Sequence, residues 1–245
     1  MLKTKHLINS TFNLFLIFSI LLLIIFSFLY SSKNNLLNNP NTVIIGNDFY
    51  FNNEILSNFN FSNSIFSINI DDIQTQINNM PYVESSKISK VFPNTLIIEI
   101  VENEPLLYFK NKNNFILIDT NEKSLPVNNR VKQAYKVPII HIEDDYNTLT
   151  FNSKQYLEII NIIKYSKLNL SDIYKNLLKM HIDQNNYLLF YKDNTIIYFS
   201  KNNAMNQLRN LAIFKDTIKK YRLLENYLYI DMTIPNQIVV KENKI

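Results

Sequence analysis

The stretch MPYVESSKISKVFPNTLIIEIVENEP, residues 80–105, decides the fold. Pro81 and Pro105 bracket it, and Pro93 divides it into two extended runs around Phe92-Pro93-Asn94. In the first run Ser86, Ile88 and Lys90 alternate with Lys87 and Ser89. In the second, Leu96, Ile98 and Ile100 fall on one face, and Ile97, Glu99 and Val101 on the other. A two-residue period marks a half-buried strand. The stretch predicts a hairpin with one face on a core and strand edges available for pairing.

Upstream, VIIGNDFYF (43–51) predicts a strand with Gly46 at a bend. NNEILSNF (52–59) predicts a short helix. Asn63 or Asn69 is placed to cap a second one, whose Ile70, Ile73, Ile77 and Met80 share a face at 3–4 spacing. Asp71 and Asp72 sit in its first turn, where the helix dipole favours anions, so they need no metal to explain them. Strand, helix, helix, strand, strand is the order of a small α+β domain.

Residues 7–30 read LINSTFNLFLIFSILLLIIFSFLY. From Leu14 to Tyr30 there are 14 Leu, Ile or Phe and no charge. At about −0.3 to −0.6 kcal/mol each, these alone favour insertion into a bilayer by about 4–8 kcal/mol. As a helix the segment spans about 36 Å, enough to cross a membrane with tilt. No cleavage site of small residues follows, which predicts an uncleaved anchor over 7–31. Lys3 and Lys5 precede it and predict a cytoplasmic N-terminus (1–6) with the bulk of the chain outside. Ser19 and Ser27 are small polar positions at which the anchor could pack on another helix. The polar, Asn-rich residues 32–41 read as a linker.

After Pro105 strand patterns dominate: 106–109, 115–119, 137–141, 179–183, 187–191, 195–199, 227–232 and 237–240. Two helices interrupt them. One, over 153–166, carries Tyr156, Ile159, Ile160 and Ile163; the other, over 203–220, carries Met205, Leu208, Leu211, Ala212 and Ile218. Aliphatic stripes at this spacing are core faces. A mainly antiparallel sheet with packed helices is expected.

Chemistry is harder to find. The chain is 47% hydrophobic and 19% charged, enough for a packed core and unlike a disordered segment. Without Cys it has no disulfide, thiolate metal site or Cys nucleophile. A single glycine, Gly46, excludes phosphate-binding glycine loops. His6, His141 and His181 lie far apart, in no metal-ligand spacing. The net charge of +4 comes without a basic run, so nucleic acid is not an expected partner. Glu143, Asp144 and Asp145 read as a solvated loop, since no calcium-loop pattern surrounds them. Glu99, Glu102 and Glu104 alternate on a strand and share a face. Such a face could hold the two carboxylates of a glycosidase, but solvent-facing acids on a strand look the same. Catalytic, cofactor and metal residues are therefore expected to be absent.

The residues of the opening stretch also carry a resemblance. Tyr82-Val83, Ser86, Ile88 and Lys90, then Pro93, Thr95, Leu96, Ile98, Ile100, Glu102 and Pro105, resemble the pattern of the FtsQ/DivIB family of bacterial division proteins. Asn103 stands where that family has Arg, and Glu122 in FILIDTNEKSLP (115–126) where Gly is usual. YLYIDMTIPNQIVVKEN resembles the family's closing strands. The resemblance implies a membrane anchor, a POTRA domain (polypeptide-transport association) over 42–105 and a C-terminal β-domain over 106–245. It implies a non-catalytic, single-pass inner-membrane scaffold at the division septum, with its bulk in the periplasm. It implies recruitment of an FtsB/FtsL-like pair through the C-terminal region, with other division proteins meeting the anchor or the POTRA domain. The last predicted strand, 237–240, is apolar and terminal, and an edge strand binds an extended partner by backbone pairing. Ile234, Asn236, Ile238 and Val240, with Tyr227 and Tyr229 on the neighbouring strand, are the expected partner-binding residues. Two other readings stay open: a POTRA-bearing protein of transport or secretion, and a membrane-anchored periplasmic hydrolase, for which Glu102, Asp119 and Asp231 are the acids to test.

Overall fold

The structure is a computed structural model that describes residues 15–27, 29–30, 39–59, 64–111, 114–141, 154–183 and 185–243. The expected anchor over 7–31 is described only in part, as helix α1 (residues 15–27), whose side chains are exposed. Among the described residues no helix is long and apolar enough to cross a membrane. The chain divides into two compact units, Met1–Glu102 and Asn103–Ile245.

In the first unit β1 (Asn41–Ile45), α2 (Asn52–Leu56), α3 (Ile70–Asn78), β2 (Val83–Val91) and β3 (Thr95–Glu102) follow in order. The sheet order is β1-β3-β2, with β1 parallel and β2 antiparallel to the central β3. The hairpin turns at Phe92-Pro93, a cis peptide. Leu96, Ile98 and Ile100 of β3 are buried against Ile73 and Ile77 of α3 and Ile55 of α2, which makes this face the core. The strand expected over 43–51 stops at Ile45. Gly46 turns there with φ +84°, and the Phe49 and Tyr50 N–H groups leave the ladder to bond Glu102.

Asn69 starts α3: its side chain accepts the Asp71 N–H at 3.1 Å, while its Nδ2 donates to Asp72. We expect Asn69→Ala to cost about 1 kcal/mol in urea denaturation, the usual value of an N-cap. An unchanged midpoint would show the cap to be idle.

The second unit runs β4 (Pro105–Asn111), β5 (Asn114–Asp119), β6 (Ser124–Leu125), α4 (Asn129–Ala134), β7 (Ile139–His141), α5 (Lys154–Asn169), α6 (Ser171–Asn176), β8 (Leu177–Ile182), β9 (Asn186–Tyr191), β10 (Ile196–Ser200), α7 (Ala204–Ile218), β11 (Tyr227–Asp231) and β12 (Val239–Glu242). The strands form one sheet in the order β12-β11-β10-β9-β8-β7-β4-β5-β6. It is mainly antiparallel. The parallel pairs are β4·β7, β7·β8 and β10·β11. A helix lies in each of those connections, as a parallel crossover requires. Phe109, Ile140, Met180, Leu189, Ile197 and Ile230 meet Ile159, Ile160 and Ile163 of α5 and Leu208 and Leu211 of α7 in one core.

Candidate functional site

Among the described residues β12 is the last strand of the large sheet and pairs on one side only, with β11. The expected strand over 237–240 is displaced by two residues, and the reason is the preceding turn. The Asp231 carboxylate accepts from the Thr233 N–H and hydroxyl, Asn236 has φ +59°, and the Gln237 N–H returns to the Ile234 carbonyl. Pairing resumes only at Val239, opposite Asp231.

The register shows which backbone groups are open. The Asn243 N–H donates to the Asn226 carbonyl at 3.0 Å, so it points toward β11. Backbone groups alternate along a strand, so Lys241 and Val239 also point inward, and Val240 and Glu242 present their N–H and C=O at the open edge. On the other side of β11, the Met232 N–H donates to Tyr198, which agrees with this phase.

The six expected partner-binding residues do not form one surface. Tyr227 is buried in the core beside Phe214. Tyr229 lies on the opposite face of β11, edge-on to Tyr198. Val240 pairs with Ile230 on the helix side of β12. Ile234, Asn236 and Ile238 are in the turn and at its exit. With Ile213, Phe214 and Met232 they line a cleft of about 610 Å³ between α7 and residues 232–238. Ile238 also packs on the core.

The acids suggested for hydrolysis have structural work to do. Glu102 accepts the Phe49 and Tyr50 N–H groups at 2.8 and 3.1 Å. Burial raises its pKa above the ordinary carboxylate value even against those two bonds. Asp119 is fully buried and accepts from the Asn121 and Lys123 N–H groups. Asp231 holds the turn described above. The expectation that Glu99 shares a face with Glu102 fails, because the strand's two-residue period puts exposed Glu99 opposite Ile98, Ile100 and Glu102; Glu104 pairs with Lys167 at 2.9 Å. Residues 143–145 lie outside the described residues.

Distance along the chain hid one juxtaposition. His141 and His181 sit in register on β7 and β8, with rings stacked 4.5 Å apart at 7°. Burial first, then His181, Lys110 and Lys179, hold the His141 imidazole below its usual pKa. No group of three metal-ligating side chains occurs among the described residues.

The residues of the opening motif are likewise accounted for by packing. Tyr82 rests on Phe49 with ring centroids 4.7 Å apart. The Ser86 hydroxyl donates to Asn78 Oδ1, while Gln74 donates to the Ser86 carbonyl, which ties α3 to β2. Lys90 Nζ donates to the Ile68 carbonyl at 2.7 Å. The motif specifies a fold, and that fold can be compared with known ones.

Residues 41–103 match the POTRA domain, FtsQ-type, so the first unit is of the POTRA class. Similar proteins include the cell division protein DivIB of Clostridium tetani, 30% identical over 86 residues, which covers 35% of this chain and 32% of that protein. FtsQ of Koribacter versatilis is 23% identical over 120 residues, 47% of this chain and 35% of its own. FtsQ of Rickettsia prowazekii is 23% identical over 185 residues, 76% of this chain and 64% of its own. The chain thus spans from about a third to just under two thirds of the length of these relatives. The major extracytoplasmic domain of DivIB from Geobacillus stearothermophilus aligns at 11% identity and a TM-score of 0.32, over 49% of this chain and 98% of that one; the overlap is too loose to argue from. Residues 41–103 thus carry the FtsQ-type POTRA domain, and the chain is similar to cell division proteins of the FtsQ and DivIB kind.

Proposed function

We propose that the chain is a non-catalytic scaffold of the bacterial divisome, anchored in the inner membrane by residues 7–31 with its bulk in the periplasm. In this reading it recruits an FtsB/FtsL-like pair to the septum by strand addition. The observation that carries it is the open edge of β12, where Val240 and Glu242 present unpaired backbone groups to an incoming strand. The cleft beside Ile234 adjoins that edge and gives the partner's flanking residues a seat of mixed lining, with Ile213, Phe214 and Ile234 beside Asn210 and Gln237. The anchor rests on the apolar run, of which the described part leaves Phe15, Phe18, Leu23 and Ile24 exposed, as lipid-facing side chains would be. The assignment of carboxylates to backbone bonds supports a surface-based role over hydrolysis.

The test is binding of the full chain, in zwitterionic nanodiscs, to the extracytoplasmic segments of the FtsB- and FtsL-like proteins of the same organism. Val240→Pro removes an outward N–H and obstructs pairing, and proline is tolerated on the free side of an edge strand. The variant should bind at least ~10-fold more weakly, the equivalent of about 1.4 kcal/mol, with an unchanged melting temperature. Ile238→Pro is a poorer probe, because Ile238 packs on the core. Equal binding by Val240→Pro would move the partner off this edge, and no binding by the parent chain would remove the recruitment reading.

A further inference from the structure

The large sheet has a second face. Opposite α5 and α7, and beside α4 on β4, the strand positions from β7 to β12 include Ile139, Leu188, Phe190, Ile196, Tyr198 and Tyr229, all half-buried rather than covered. The register joins them into rows: His181, Leu188 and Tyr198 in one, Lys179, Phe190, Ile196 and Tyr229 in the next. A sheet face left to water alternates to polar residues. Here β9 and β10 are apolar on both faces, the pattern of strands covered on both sides.

Charge surrounds this apolar centre. Lys179 Nζ lies 4.3 Å over the Phe190 ring, and His181 meets the same ring edge-on at 5.2 Å. His141 stacks on His181, with Lys110 in register beside it on β4, and Lys241 closes the opposite end next to Tyr229. Among the described strand positions of this face Asp231 is the one carboxylate, and Thr233 engages it. A second copy of the chain placed face to face would set lysine against lysine. A partner with apolar side chains flanked by carboxylates meets both features.

We propose that this face, centred on Phe190, docks an acidic amphipathic helix of a partner protein. The five strands β7 to β11 span about 19 Å at ~4.8 Å per strand, a width that about 13 helical residues cover. Leu, Ile or Phe at i, i+3, i+4 and i+7 would lie on Leu188, Phe190, Ile196 and Tyr229. Glu or Asp on the flanks would reach Lys110, Lys179 and Lys241. The surface is separate from the β12 edge and its helix-side cleft, so it does not depend on strand addition.

The experiment titrates the full chain, in zwitterionic nanodiscs, with two 14-residue peptides. Both have Leu at the four helix-face positions; one carries Glu and the other Lys elsewhere. The Glu peptide should bind at least 10-fold tighter than the Lys peptide and should shift the NMR signals of Leu188, Phe190, Ile196 and Tyr229. Phe190→Glu should abolish its binding, and Lys179→Glu should weaken it at least 5-fold. Val240→Pro should leave it intact, which separates failure here from failure at the edge. Equal binding of the two peptides, or shifts confined to 232–242, would overturn the proposal. So would anionic vesicles binding through Phe190 while the Glu peptide does not, which would assign the face to a membrane surface. Self-association abolished by Phe190→Glu would assign it to a second copy and also overturn it.

Discussion

Gly46→Ala is expected to destabilise the first unit by about 2–5 kcal/mol, more than any surface change in the chain. Two costs add. Gly46 has φ +84°, where an L side chain pays about 1–2 kcal/mol. A Cβ there would stand 2.1 Å from the Ile100 carbonyl oxygen, and that neighbour is backbone of the central strand. Relief requires β1 to move off β3, at about 1–3 kcal/mol for an overpacked site. Small domains hold only about 5–15 kcal/mol in total, so the variant should melt well below the parent. Gly46→Asn separates the causes. Asn tolerates positive φ but brings the same Cβ, so it should be nearly as damaging as Ala if the clash dominates. Thermal and urea denaturation of the full chain reads both. A Gly46→Ala variant within 1 kcal/mol of the parent would show that β1 is not pinned at this point.

The sequence was most legible where one physical rule acted alone. The 83–102 hairpin follows from two-residue alternation with Pro93 in the turn, and α3 from its 3–4 spacing and the Asn69 cap. It was least legible where tertiary contacts overrode local pattern. Phe49 and Tyr50 look like strand residues, but the Glu102 carboxylate captures their N–H groups from the far end of β3. The final strand shifted because Asp231 and Asn236 build a turn out of residues whose apolar character suggested pairing. Helix α4 had a signal that composition obscured: Asn128 caps it by accepting the Val131 N–H, in a chain where Asn is everywhere. The edge itself was foreseeable as the last strand. That Tyr227 faces the core and Tyr229 the other side was not, because a bulge between them breaks the alternation.

Phe109→Ala should cost about 3–5 kcal/mol, the range for emptying a buried aromatic site. Phe109 is fully buried in β4 and meets Tyr156 of α5 edge-on, with ring centroids 5.4 Å apart at 88°. The cavity would open where the sheet joins the helix layer, between rigid neighbours that cannot collapse onto it. Phe190→Ala is the matched comparison: the same truncation in the same sheet, on the face opposite α5 and α7. Its ring is half-buried and carries contacts from Lys179 and His181, so the loss should stay near 1 kcal/mol, chiefly the cation–π and edge contacts. The difference between the two variants in urea midpoint, at unchanged m-value, measures how unequal the two faces are. Losses of similar size would mean that Phe190 is already part of a core, and the face around it would then have no room for a partner. A large loss at Phe109 with a small one at Phe190 leaves an apolar ring whose packing contributes little to the fold, and a binding surface is the physical reason for keeping one there.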